Sequence, residues 1–143
     1  MLPMPRSLSL CMIVKNEERN LPRCLDSVRD LVGEIVIVDT GSTDRTPGIA
    51  AEYGAKVVPF DFTRVDFAAA RNCSIAHATG RWILVLDADE TMDRASAPMM
   101  EEIIERDWGI KLLELLKNIK RFAKNRNYIK PLDFGVHQFS GLL

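Results

Sequence analysis

Apolar positions along this chain gather into short, nearly unbroken runs separated by stretches in which they recur every three or four residues. The runs are Ser7 to Val14, Glu34 to Asp39 with its β-branched Ile35-Val36-Ile37-Val38, and Arg81 to Leu86. Runs of this kind read as strands buried on both faces of a parallel sheet. Between the first two, Leu21, Cys24, Leu25, Val28 and Leu31 fall on one stripe, which predicts a helix over Leu21–Asp30. Asn20 stands at its expected N-cap, and Pro22 suits the first turn.

The same pattern continues. Thr46 followed by Pro47 predicts the cap of a second helix, which Gly54 closes near Tyr53. Lys56–Phe60 reads as a short third strand that Pro59 confines to a sheet edge or ends. An alanine-rich third helix is expected from Phe67 to about Ala78, stopped by Gly80. The order β-α-β-α-β-α-β implies an α/β fold, an open and mostly parallel sheet with helices on both faces.

Beyond Asp93 the character changes, with Ala95-Ser96-Ala97-Pro98 as the break. Two helical pieces are expected, Met99–Asp107 and Ile110–Lys124, while Asn125–Leu143 carries no pattern. The chain therefore divides into an α/β unit over residues 1–93 and a helical segment over 94–143. In the second helical piece Leu112, Leu115, Leu116, Ile119 and Phe122 share a face, and Lys111, Lys117, Lys120, Arg121 and Lys124 surround it. Such a helix either packs its apolar face on the sheet or lies peripherally on an anionic membrane.

Composition narrows the class. The 143 residues fit one domain, and 47% hydrophobic with 27% charged content is ordinary for a globular protein. A formal net charge of -1 argues against nucleic acid as a partner. The apolar stretch from Leu8 meets Lys15-Asn16-Glu17-Glu18 too soon for a signal peptide or membrane span, so a cytoplasmic location is expected. Cys11, Cys24 and Cys73 form no C-x-x-C pair and read as buried, reduced thiols.

Candidate chemistry lies where the runs end. Open α/β sheets bind ligands outside the carboxyl ends of their strands, and three predicted strands deliver polar groups there: Lys15-Asn16-Glu17, Asp39, and Asp87-Ala88-Asp89. Alternation along an extended segment would turn Asp87 and Asp89 to one side. Paired hard oxygens favour Mg²⁺ or Mn²⁺, typically together with substrate phosphates. Asp39, followed by Gly41, is placed to accept hydrogen bonds from a ribose or base. No G-x-G-x-x-G follows the first strand and no Walker loop occurs, so phosphate charge falls to the metal and to cations such as Lys15 or Arg71. His77 and His137 lack partner patterns, and no serine stands in a G-x-S-x-G elbow.

Four blocks carry a family resemblance: Leu8 to Glu18, Glu34 to Thr46, Phe67 to Asn72, and Trp82 to Glu90. Together they resemble the family 2 glycosyltransferases of the GT-A fold, which move a sugar from a nucleotide diphosphate to an acceptor. In order and spacing they look most like the bacterial branch acting on lipopolysaccharide core and related glycans. The resemblance implies that Val14 belongs to the donor site, that Glu17 and Asp39 contact the nucleoside, that Arg71 lies beside the base or diphosphate, and that Asp87 and Asp89 are the D-x-D pair. Asp87 would then meet both ribose and metal, and Asp89 the metal, Mg²⁺ or Mn²⁺. The implied partners are a UDP- or GDP-sugar and a glycan or lipid-linked acceptor, with peripheral contact at the inner membrane face through Ile110–Lys124; self-association stays open. Lys15 replaces the aromatic ring that many relatives place against the base, which leaves the base open.

The resemblance ends near Asp93, so the chain reads as the N-terminal, donor-binding half of a truncated domain, and none of Glu101, Glu102, Glu105, Asp107, Glu114 and Asp133 marks itself as a general base. Two rival readings stand beside it. One is a non-catalytic nucleotide-sugar-binding module. The other is a haloacid-dehalogenase-like phosphatase, since Val85 to Thr91 also fits an aspartyl-nucleophile pattern. That pattern normally opens its fold, whereas here it follows three β-α units.

Overall fold

A computed structural model describes residues 8–106 and 128–131 of the chain. Strand β1 (Leu8–Val14) leads to helix α1 (Leu21–Val28), β2 (Glu34–Asp39), α2 (Thr46–Glu52), β3 (Lys56–Pro59), α3 (Phe67–Ala76) and β4 (Trp82–Val85). A 3-10 turn, Arg94–Ser96, then runs directly into α4 (Ala97–Arg106), and β5 (Tyr128–Pro131) completes the sheet. The order across the sheet is β3-β2-β1-β4-β5. The first four strands are parallel, and β5 lies antiparallel on β4. β3 is an edge strand, as Pro59 predicts. The expected helix Ile110–Lys124 lies outside the described residues.

The alternating faces of the central strands are buried under different helices. Leu8, Leu10, Met12 and Val14 of β1 join Ile35, Ile37, Trp82 and Leu84 in a core with Leu21, Cys24, Leu25 and Val28 of α1 and Ile49 and Ala50 of α2. Cys11, Val36, Ile83 and Val85 face the other way, where Ile75 of α3 closes over them. Helices on both faces account for the unbroken apolar runs, since neither side of these strands meets water. Each fully buried large side chain, Trp82 and Leu84 among them, contributes about 1.5–3 kcal/mol.

Four local expectations are revised. Asn20 makes no capping bond; its side-chain amide donates instead to Glu17 Oε2 at 3.0 Å. Thr46 is the first residue of α2 rather than its cap, and its hydroxyl is turned inward. The Ala95–Pro98 break is a helix start, and Met100 of α4 is fully buried in the main core. The patternless tail contains β5, whose pairing with β4 is a long-range choice that local periodicity does not carry. Asp66 caps α3 by accepting from Ala69 N at 2.9 Å.

Candidate functional site

The chain moves outward from β1 through β2 to β3, then returns across β1 to form β4, so the topology reverses between β1 and β4. Beyond the carboxyl ends of strands at such a reversal the flanking loops part and leave a crevice. The acidic segment emerges at that point. Leu86 and Ala88 turn into the main core, nearly fully buried, while Asp87 and Asp89 are exposed. The Glu90 N–H donates to Asp87 O at 2.9 Å, closing a turn. That turn, rather than alternation along an extended strand, gathers the acids.

It also brings in a third. Asp87, Asp89 and Glu90 each offer a carboxylate oxygen, and these oxygens lie within 4.8 Å of one another. Glu90 is buried, and its Oε2 accepts from Asp87 N at 3.2 Å. Its carboxyl is held above the usual glutamate range, chiefly because burial disfavours the charge and further because Asp87 and Asp89 stand close. The sequence signal for Glu90 was its place directly after D-x-D, but in a strict alternation it would point away.

Arg71 supplies the opposing charge. It projects from α3, which packs on β1 and β2, and Nη2 stands 3.7 Å from Asp87 Oδ1, with the Arg71 side chain only 15% exposed against 57% for Asp87. Its other terminal nitrogen, Nη1, is buried with no hydrogen-bond partner among the described residues. A buried donor left unpaired in this way is costly.

From beneath, α1 holds the acidic turn. The Cys24 thiol donates to Asp87 O at 3.6 Å, and Ser27 Oγ accepts from Met92 N at 3.0 Å. Cys24 and Cys11 are buried, and burial pushes both thiols up to about 12, so both are inert at neutral pH as expected; Cys73 is only half-buried. His77 Nδ1 lies 2.8 Å from the Cys73 carbonyl on its own helix, a local structural bond.

The remaining candidates lie at the ends of β1 and β2. Val14 pairs in register with Asp39, and the Thr40 N–H and hydroxyl both donate to Val14 O at 3.0 Å. Both Asp39 oxygens accept from Ser42 N, at 3.2 and 3.3 Å, which folds the loop after β2 back over the strand end. Glu17 is half-buried, and the Glu17 N–H donates to Thr46 Oγ1 at 2.8 Å. The structure thus joins Arg71 to the acidic turn and Glu17 to the loop after β2, all at one edge of the sheet. A surface groove of about 300 Å³ lies elsewhere, between α1 and α4, lined by Asp26, Asp30, Met92 and Arg94, and includes none of these residues.

Sheet order, paired helical layers and acidic turn together define a GT-A-type α/β fold. Similar folds are found in Staphylococcus aureus TarS 1-349 (TM-score 0.61, 23% identity, 70% of this chain and 32% of that one) and in Mycobacterium tuberculosis glucosyl-3-phosphoglycerate synthase (TM-score 0.52, 29% identity, 59% and 34%). Residues 9–111 match Glycosyl transferase family 2, and the chain belongs to that family. An uncharacterized glycosyltransferase of Rickettsia felis is 31% identical over 127 residues, covering 89% of this chain and 44% of that protein. A TPR repeat-containing protein of Synechococcus elongatus is 61% identical over 85 residues, covering 59% of this chain and 21% of that protein. The chain therefore spans less than half the length of these relatives.

Proposed function

We propose that this chain forms the donor-binding half of a metal-dependent glycosyltransferase that moves a sugar from a UDP- or GDP-linked donor to a glycan or lipid-linked acceptor. The observation that carries this reading is the acidic turn at the topological reversal: three carboxylate oxygens within 4.8 Å, with an under-satisfied arginine beside them. Three like charges so close repel one another, and an Mg²⁺ or Mn²⁺ ion relieves that repulsion while fitting an all-oxygen donor set. Support comes from glucosyl-3-phosphoglycerate synthase, solved with Mn²⁺ and UDP.

In this reading Asp87 and Asp89 hold the ion, and Val14, Glu17 and Asp39 line the nucleoside. Arg71 stands beside the base or diphosphate. The ion, when bound, supplies Lewis-acid neutralisation of the departing nucleotide. Assignment to the lipopolysaccharide-core branch rests on the spacing of the four sequence blocks, and a cytoplasmic placement at the inner membrane face rests on the basic amphipathic pattern of Ile110–Lys124.

Thermal unfolding of the chain with UDP, GDP and their sugar conjugates, with and without Mn²⁺, tests the proposal. A ligand at a hundredfold excess over its Kd adds about 2.7 kcal/mol to the native state. One base is expected to raise the melting temperature by several degrees, and only with metal. No shift with any nucleotide diphosphate would reject the reading. Binding without sugar transfer or donor hydrolysis would leave the binding module alone.

A further inference from the structure

The loops after β1 and β2 are tied together almost entirely by bonds between one loop's backbone and the other's side chains. Asn16 N donates to Ser42 Oγ at 2.9 Å, and Asn16 Oδ1 accepts from Thr43 N at 2.8 Å. Glu18 N donates to Asp44 Oδ2 at 3.3 Å, and Glu18 Oε2 accepts from Arg45 N at 3.2 Å. These bonds hold Asn16 at a φ of 52°, a left-handed conformation that asparagine tolerates better than most residues.

Thr46 stands at the centre of the tie. It is fully buried, its Oγ1 is 2.8 Å from Glu17 N and 2.5 Å from Asp44 Oδ1, and its own N–H donates to the same Asp44 oxygen at 2.9 Å. The Glu17 N–H can only donate, so the Thr46 hydroxyl accepts from it and gives its single proton to Asp44. Asp44 suits that role. Desolvation raises its pKa, yet the hydrogen bonds from Thr46 and Glu18 outweigh this and hold the carboxyl below the usual aspartate value, in its accepting form. The carbonyl of Glu17 is also committed, accepting from Asn20 N at 3.1 Å and Leu21 N at 2.9 Å. Both polar groups of the Glu17 peptide are therefore fixed, one of them by Thr46.

We infer that Thr46, through a hydroxyl shared with Asp44, is a positioning residue that sets where the Glu17 carboxylate stands toward the nucleoside. The inference rests on the reading above that Glu17 contacts the donor. Replacing Thr46 by valine keeps its shape, removes the fully buried hydroxyl that accepts from the Glu17 N–H, and leaves Asp87 and Asp89 untouched. Serine restores the hydroxyl.

The test measures UDP affinity in saturating Mn²⁺, Mn²⁺ affinity without nucleotide by electron paramagnetic resonance, and the melting temperature. Wild type, Thr46→Val, Thr46→Ser, Glu17→Ala and the Glu17→Ala/Thr46→Val double variant are compared. Thr46→Val should weaken UDP binding about tenfold, Thr46→Ser should stay near wild type, and Mn²⁺ affinity should be unchanged. In the Glu17→Ala background the valine should cost nothing further, because the two substitutions act on one contact. Unchanged UDP affinity in Thr46→Val overturns the inference while leaving the donor-site reading intact. An equal loss with and without Glu17, or a parallel loss of Mn²⁺ affinity, also overturns it, since both mark a general effect on the fold. Wild type that binds no nucleotide removes the reading and the inference together. If Thr46→Val does not fold, Thr46→Ala carries the same comparison: it also removes the hydroxyl that accepts from the Glu17 N–H while adding no bulk, and the same pattern of losses is expected.

Discussion

The two ends of this sheet treat the same chemical group in opposite ways. At the amino end, Glu34 is surrounded by donors: its Oε2 accepts from Ser9 Oγ at 2.5 Å, Thr79 N at 2.8 Å and Thr79 Oγ1 at 3.1 Å, and Ser9 Oγ in turn accepts from Gly80 N at 2.9 Å. Burial alone would raise its pKa, but these bonds and the Lys56 charge outweigh it and hold the carboxyl below its usual value. At the carboxyl end, Asp87, Asp89 and Glu90 are gathered with one another, and Glu90 is pushed upward. A carboxylate ringed by donors fastens β1, β2 and the turn before β4 together. Carboxylates that crowd one another cost stability until a cation arrives, and such a cost at one edge of the sheet points to function.

The sharpest way to break this contrast is to remove the crowded acids. Asp89→Ala, or Asp87→Ala, should weaken Mn²⁺-dependent nucleotide binding by about a hundredfold or more, beyond the about ten- to hundredfold effect typical of groups that only support metal ligands. Asp89→Ala should not lower the melting temperature, because it relieves repulsion, whereas Asp87→Ala also takes the charge partner from Arg71 and should lower it. Mn²⁺ affinity that survives in Asp89→Ala, measured by titration calorimetry, would remove that residue from the metal assignment.

The satisfied end should respond in the other currency, stability without binding. Ser9→Ala leaves the Gly80 N–H buried without its acceptor and takes a donor from Glu34, so urea unfolding should show a loss of about 1–2 kcal/mol. Nucleotide affinity should stay as in wild type. A Ser9→Ala variant as stable as the parent would show that the amino-end network contributes nothing net.

A smaller effect separates the ends by pH. Glu34, with its pKa depressed in the fold, adds stability above the unfolded carboxylate value, and that contribution is lost as pH falls through its lowered folded value. Glu90, with its pKa raised, behaves in the reverse sense: its contribution is present in acid and is lost as pH rises through the raised value. In metal-free buffer Glu90→Gln should therefore match wild type in acid and gain on it toward pH 7, whereas Glu34→Gln should fall behind wild type over the same rise. Parallel curves for the two variants would contradict the assignment of opposite environments.

Most of the framework was legible because burial on two faces leaves a plain mark. Ile35 to Val38 has no polar residue, and strand β2 forms over the expected Glu34–Asp39. The stripe Leu21, Cys24, Leu25 and Val28 is the buried face of α1. Caps were harder to read, since Asn20, Thr46 and Asp66 all have side chains suited to capping, and which of them caps depends on what else lies within reach. Asp66 caps its own helix. Asn20 finds Glu17, and Thr46 finds Asp44 and Glu17. The site was legible as residue types, with Arg71, Asp87 and Asp89 all named and then found together at the edge of β1 and β4.

Sequence alone determined the order of elements, the parallel core and the acid pair at the end of the fourth strand, because period and polarity are local properties of the chain. Tertiary structure decided the rest. The return of β4 across β1, and with it the reversal that opens the crevice, depends on strand pairing between residues some seventy positions apart. The recruitment of Glu90 depends on a turn closed by its own N–H, and the joining of Glu17 to Thr46 depends on two loops meeting in space. Those are contacts between groups that no local pattern couples, and they form only when the buried faces of the sheet have already fixed where each loop emerges.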